Sequence, residues 1–145
     1  MSERSICERL PDRAILAGMT SPTPRAAGAF VLDALLVLLF AAIGRRSHDE
    51  SGAAAGVLTT AGPFLAGLVL GWVVSLVVRR SAPLSVNAAV TVWFATVFFG
   101  MVLRVVTGRG IAVSFIVVAS IVLAVFLLGW RWAAGRIARR RHAAV

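Results

Sequence analysis

Four long apolar runs dominate the chain and leave few choices of fold. They cover about residues 26–43, 57–78, 85–106 and 111–130, each 18–22 residues long. A helix rises about 1.5 Å per residue, so about 20 residues cross the hydrocarbon core of a bilayer. Membrane strands need only about 10 residues and alternate in polarity, and none of these runs alternates. A chain of 145 residues has room for one domain. At 59% hydrophobic residues and a mean hydropathy of +0.91, it carries more apolar surface than a soluble fold of that size can hide. The expected fold is all-α: an antiparallel four-helix transmembrane bundle over residues 26–132. The short connections 44–56, 79–84 and 107–110 make consecutive helices antiparallel neighbours. Residues 1–25 read as a mobile cytoplasmic tail with a short interfacial helix around 6–16, and 133–145 as a basic cytoplasmic tail.

Charge sets the orientation. The chain has 15 basic residues against 6 acidic ones, and every basic residue is arginine. Arg4, Arg9, Arg13 and Arg25 precede the first run, Arg79 and Arg80 follow the second, and Arg131, Arg136 and Arg139–Arg141 follow the fourth. The other side has Arg45, Arg46, Arg104 and Arg109, offset by Asp49 and Glu50. Basic residues gather on the cytoplasmic side, so both termini are expected inside, in a multi-pass protein of a plasma membrane. These arginines flank apolar segments and form no aromatic-interleaved basic face, so no nucleic-acid partner is expected. The lipid bilayer is the expected partner, with anionic lipid at the C-terminal basic tail. The single cysteine, Cys7, permits no intrachain disulfide, and the N-terminus has no signal-peptide pattern.

Asp33 stands out because a carboxylate about 10 Å into a bilayer costs about 2.5–3.5 kcal/mol and needs a partner or a proton. Helical spacing puts Ala26, Ala29 and Phe40 on its face. In the second run Pro63, Gly67, Gly71 and Ser75 recur every fourth residue, a stripe of the kind along which membrane helices approach closely. The expectation is that the first two helices pack along that stripe. Ser75 or the indole N–H of Trp72 would then hydrogen-bond Asp33. Asn87, Thr91 and Trp93 lie at similar depth in the third run, and Arg131 reaches up from the inner interface. Two readings of Asp33 stand side by side: a buried, hydrogen-bonded brace, or an intramembrane proton or ion site.

A second cluster falls on the opposite face, where Arg45, His48, Asp49, Arg104 and Arg109 follow helix ends. Read functionally, the arginines gather an anion or His48 senses pH. Read structurally, Arg104 snorkels to the interface beside a solvated charged loop. His48 with Asp49 and Glu50 makes no metal site, because adjacent residues cannot all point at one ion. Trp130 and Trp132 beside Arg131 fit an aromatic belt at the inner interface.

No lysine, no tyrosine and no catalytic motif occurs, so neither an enzyme nor a cofactor is expected. Two function classes remain. One is a small oligomeric transporter or channel for an ion or small solute, in which a homo-oligomer supplies helices that a single chain lacks. The alternative is a non-transporting membrane scaffold that binds a partner protein or lipid.

The combination of features resembles one prokaryotic membrane family, catalogued as domain of unknown function 3054. The residues carrying the resemblance are Asp33, Gly44-Arg45 with His48, Pro63-Phe64, Gly67, Gly71-Trp72, Trp93, Arg104 and Gly129-Trp130-Arg131. It runs from about Ala26 to Arg131 and implies a four-helix integral membrane protein, with no activity attached.

Overall fold

The computed structural model describes residues 24–46 and 54–143. The described residues form four helices: α1 (Pro24–Arg46), α2 (Ala54–Arg79), α3 (Val86–Val106) and α4 (Val113–Ala143). All four are long and apolar enough to cross a membrane. In hydrocarbon every backbone donor and acceptor must be satisfied internally, which a continuous helix does and an irregular segment does not. The chain is thus a multi-pass membrane protein. The sequence reading of the tails and of the 47–53 loop, including the helix around 6–16, His48 and Asp49, lies outside the described residues.

The turns have identifiable causes. Ser85 caps α3 by accepting the Ala88 N–H at 3.3 Å. Arg80, at φ 50°, takes the left-handed conformation that stops α2, and buried Pro83 follows it. Between α3 and α4, Gly108 and Gly110 both sit at positive φ (70° and 52°), where a side chain would be strained. That turn brings the Arg109 N–H back to the Arg104 carbonyl at 2.9 Å.

The helices stand in a ring, each packed on its sequence neighbours and α1 also on α4. The tightest seam is α2 on α3, and the loosest is α1 on α4. This corrects the expected partner of the small-residue stripe. A Cβ on Gly67 would lie 2.8 Å from the Thr96 carbonyl oxygen, and one on Gly71 would lie 3.0 Å from the Val92 Cα. Both glycines therefore admit α3, not α1. Pro63 lies inside α2, and Phe64 beside it packs over Gly100 of α3. The fourth helix is also longer than expected. It continues through 133–143, so most of the basic tail is an extension of α4. At about 1.5 Å per residue its 31 residues span about 46 Å, more than a hydrocarbon core is thick.

Apolar layers fill the ring. Val37, Leu68, Leu123 and Leu127 are fully buried. Phe40, Phe64 and Phe115 meet with centroids 5.3–6.5 Å apart. This core separates the end that carries the two described termini from the end that carries the α1–α2 and α3–α4 hairpins.

Candidate functional site

The most concentrated chemistry lies towards the termini end, around Asp33. Its side chain is completely buried, and four hydrogen bonds converge on it. Trp72 Nε1 of α2 donates to Oδ2 at 3.0 Å, and Trp130 Nε1 of α4 donates to Oδ1 at 2.9 Å. Arg131 of α4 donates from Nη1 to Oδ1 at 2.8 Å and from Nη2 to Oδ2 at 2.6 Å. Each carboxylate oxygen thus receives two donors, which suits an acceptor-only, ionised group meeting a guanidinium fork on fork.

Arg131 is equally well satisfied. Its Nε donates to the Pro83 carbonyl in the α2–α3 turn at 2.7 Å, and Nη1 also donates to the Leu127 carbonyl at 2.7 Å. The guanidinium carbon lies 4.4 Å from the centre of the Trp130 ring. Phe30 meets Trp72 edge-on at 5.4 Å. One carboxylate therefore joins α1, α2 and α4, and through Arg131 it also reaches the α2–α3 turn. With the partner present, the desolvation cost of each charge is offset by the other and by directed donors.

Among the sequence candidates, the structure brings Trp72 and Arg131 to Asp33. Ser75 is fully buried one turn from Trp72, but its Oγ has no hydrogen-bond partner among the described residues. Thr91 and Trp93 are not among the groups bonded to Asp33. Trp93 instead donates to the Ser120 carbonyl at 3.0 Å and ties α3 to α4. Asn87 is exposed. Trp130, assigned from sequence to an aromatic belt, is a direct donor to Asp33. The signal that reveals it is spacing: Leu127, Trp130 and Arg131 lie at i, i+3 and i+4, one helical face.

The hairpin end holds a second constellation. Arg45 of α1, Arg104 of α3 and Arg109 of the α3–α4 turn line a cavity of about 620 Å³, together with Thr60, Ser114 and apolar side chains that include Phe40 and Phe115. Arg104 places its guanidinium carbon 4.5 Å from the centre of the Phe115 ring. Arg109 donates from Nη1 to the Thr59 carbonyl at 2.9 Å. That bond has a local cause. Proline at position 63 has no N–H, so the carbonyl four residues earlier, that of Thr59, loses its helical donor. Arg109 supplies a replacement from a neighbouring turn.

No curated protein and no solved structure matches the chain. A family model does, over residues 30–134, a span that takes in both ends of the Asp33–Arg131 pair and all three cavity arginines. The chain belongs to the family described as Protein of unknown function (DUF3054).

Proposed function

We propose that the protein is a non-conducting, non-enzymatic component of a plasma membrane. In this reading both termini face the cytoplasm, and the bundle works by holding a lipid or protein partner. The observation that carries the reading is the saturation of Asp33. A residue that relays protons or ions needs a free acceptor position and a polar route to it, and every acceptor position of this carboxylate already meets a protein donor.

The side chains between the two polar ends support the same view. Proceeding from Asp33 along α1, successive turns present Val37 and then Phe40. From Trp72 along α2 they present Leu68 and Phe64, and from Arg131 along α4 they present Leu127, Leu123, Ala119 and Phe115. All of these are buried except Phe115, which is half-buried. Aliphatic and aromatic packing about 10 Å deep, the rise from Asp33 to Phe40, separates Asp33 from the cavity wall.

The arginine-lined cavity favours one further reading, a small oligomeric transporter or channel for an ion or small solute, with the cavity as its mouth. Flux through proteoliposomes decides between the two. Under the non-conducting reading, vesicles carrying the protein release chloride, phosphate, potassium and protons no faster than protein-free vesicles. Flux well above that background, abolished by Asp33→Asn in a variant that stays folded, would overturn it in favour of transport.

A further inference from the structure

We infer that the hairpin-end cavity is a binding site for an anionic lipid, which inserts its phosphate among Arg45, Arg104 and Arg109 and lays an acyl chain along the seam between α1 and α4. The inference rests on the binding reading above. It is read out by lipid retention rather than flux, so either can fail while the other stands.

Three observations converge on it. First, the cavity mixes two chemistries in the arrangement of an amphiphile. Arg45, Arg104 and Arg109 line it with Thr60 and Ser114, while Phe40, Ala41, Phe115 and Val118 make a mostly apolar wall. A free inorganic anion has no use for the apolar part, whereas a lipid uses both. Second, the site lies where the bundle is most open. α1 and α4 form the loosest seam, and their hydrogen-bonded tie, Asp33 to Trp130 and Arg131, is at the opposite end. Ala112, Ser114 and Val118 on its α4 side are exposed, so the cavity communicates sideways with the surrounding lipid. Third, Arg104 is held ready. Its guanidinium carbon sits over the Phe115 ring, while its buried Nε has no hydrogen-bond partner among the described residues. A phosphate would meet this guanidinium at its terminal nitrogens, since guanidinium matches phosphate in planar, paired geometry.

The site is distinct from the basic extension of α4, where Arg139 and Arg140 are exposed at the other end of the bundle. Those arginines attract anionic headgroups by long-range charge, without a pocket.

The test uses the full chain in nanodiscs of phosphatidylcholine mixed with phosphatidylglycerol, followed by native mass spectrometry to count retained lipid. Native protein should retain phosphatidylglycerol in preference to phosphatidylcholine. Arg104→Gln with Arg109→Gln should lower that retention about tenfold or more, the size expected for lost charge-assisted hydrogen bonds. Arg139→Gln with Arg140→Gln should leave it in place. Because the first variant removes the Thr59 contact as well, a second measurement uses the unmutated chain. Phosphatidylglycerol with a photoreactive acyl chain should form adducts within 40–45 and 112–118. Adducts spread evenly over the lipid-facing surface would overturn the inference. So would retention that depends on Arg139 and Arg140, or a lipid displaced by inorganic phosphate alone, which would mark a free-anion site.

Discussion

Asp33 and Arg131 act as a unit, and the cost of changing them depends on which one is changed and whether the other stays. Asp33→Asn keeps the side-chain shape but leaves Arg131 charged and buried opposite a neutral amide. Removing one member of a buried pair costs about 3–5 kcal/mol, so a clear fall in the thermal unfolding midpoint in detergent is expected. Replacing both, as Asp33→Leu with Arg131→Met, removes the desolvation problem with the pair. The double variant should be more stable than either single charge deletion, and a double-mutant cycle measures that coupling. If the singles and the double are additive, the pair is not the brace described here. The two indoles contribute less: Trp72→Phe and Trp130→Phe each remove one hydrogen bond to a charged group, about 1.5–3 kcal/mol. Asp33 itself was legible in the sequence because a lone carboxylate in an apolar run has to find a partner. Trp72 was legible only as one of two donors on α2, and depth alone pointed to Ser75, whose Oγ does not bond Asp33. Trp130 was not legible, because tryptophan near a helix end fits an interfacial belt equally well. Only the position of its face beside Arg131 separates the two.

At the scale of elements, the small-residue stripe of α2 shows why a packing surface is easier to read than its partner. Four-residue spacing says that Gly67 and Gly71 share a face, and close approach follows from the missing side chains. Nothing in that spacing says which helix approaches. The complementary signal lies in α3, where Val92, Ala95, Thr96 and Gly100 offer a compatible face; all four are buried. Gly67→Ala should destabilise by about 1–3 kcal/mol, because its Cβ would meet the Thr96 backbone, which cannot swing aside as a side-chain tip can. Gly129→Ala, with open space at the Cβ position, should be neutral or slightly stabilising in the same unfolding assay. Equal effects at the two positions would mean that α2 and α3 are not packed as described. Pro63 makes a second argument at this scale. Its missing N–H and the Arg109 bond to Thr59 are two halves of one local solution. Pro63→Ala restores a helical donor to Thr59, so Arg109→Gln should cost less stability in the Pro63→Ala background than in the native chain.

Across the whole molecule, the charged groups of the core occupy opposite ends and mostly apolar side chains fill the middle, and this division decides what can reach which residue. Four crossings were legible from run length alone. The helical continuation through 133–143 was not, because arginines past an apolar run read as a tail, whereas alanine and arginine also extend a helix well. The distribution of arginine supports an orientation with the hairpin end outside, and accessibility tests it together with the division. After Cys7→Ser removes the native thiol, single cysteines placed at the exposed positions Ala112 and Ala133 report on the two ends. A membrane-impermeant maleimide added to intact cells should label Ala112→Cys and leave Ala133→Cys untouched until the membrane is permeabilised. Val37→Cys, fully buried between the brace and the aromatic cluster, should resist the reagent on both sides. Labelling of Ala133→Cys in intact cells would invert the orientation. Labelling of Val37→Cys would mean that water reaches the middle of the bundle, and the non-conducting reading would fall with it.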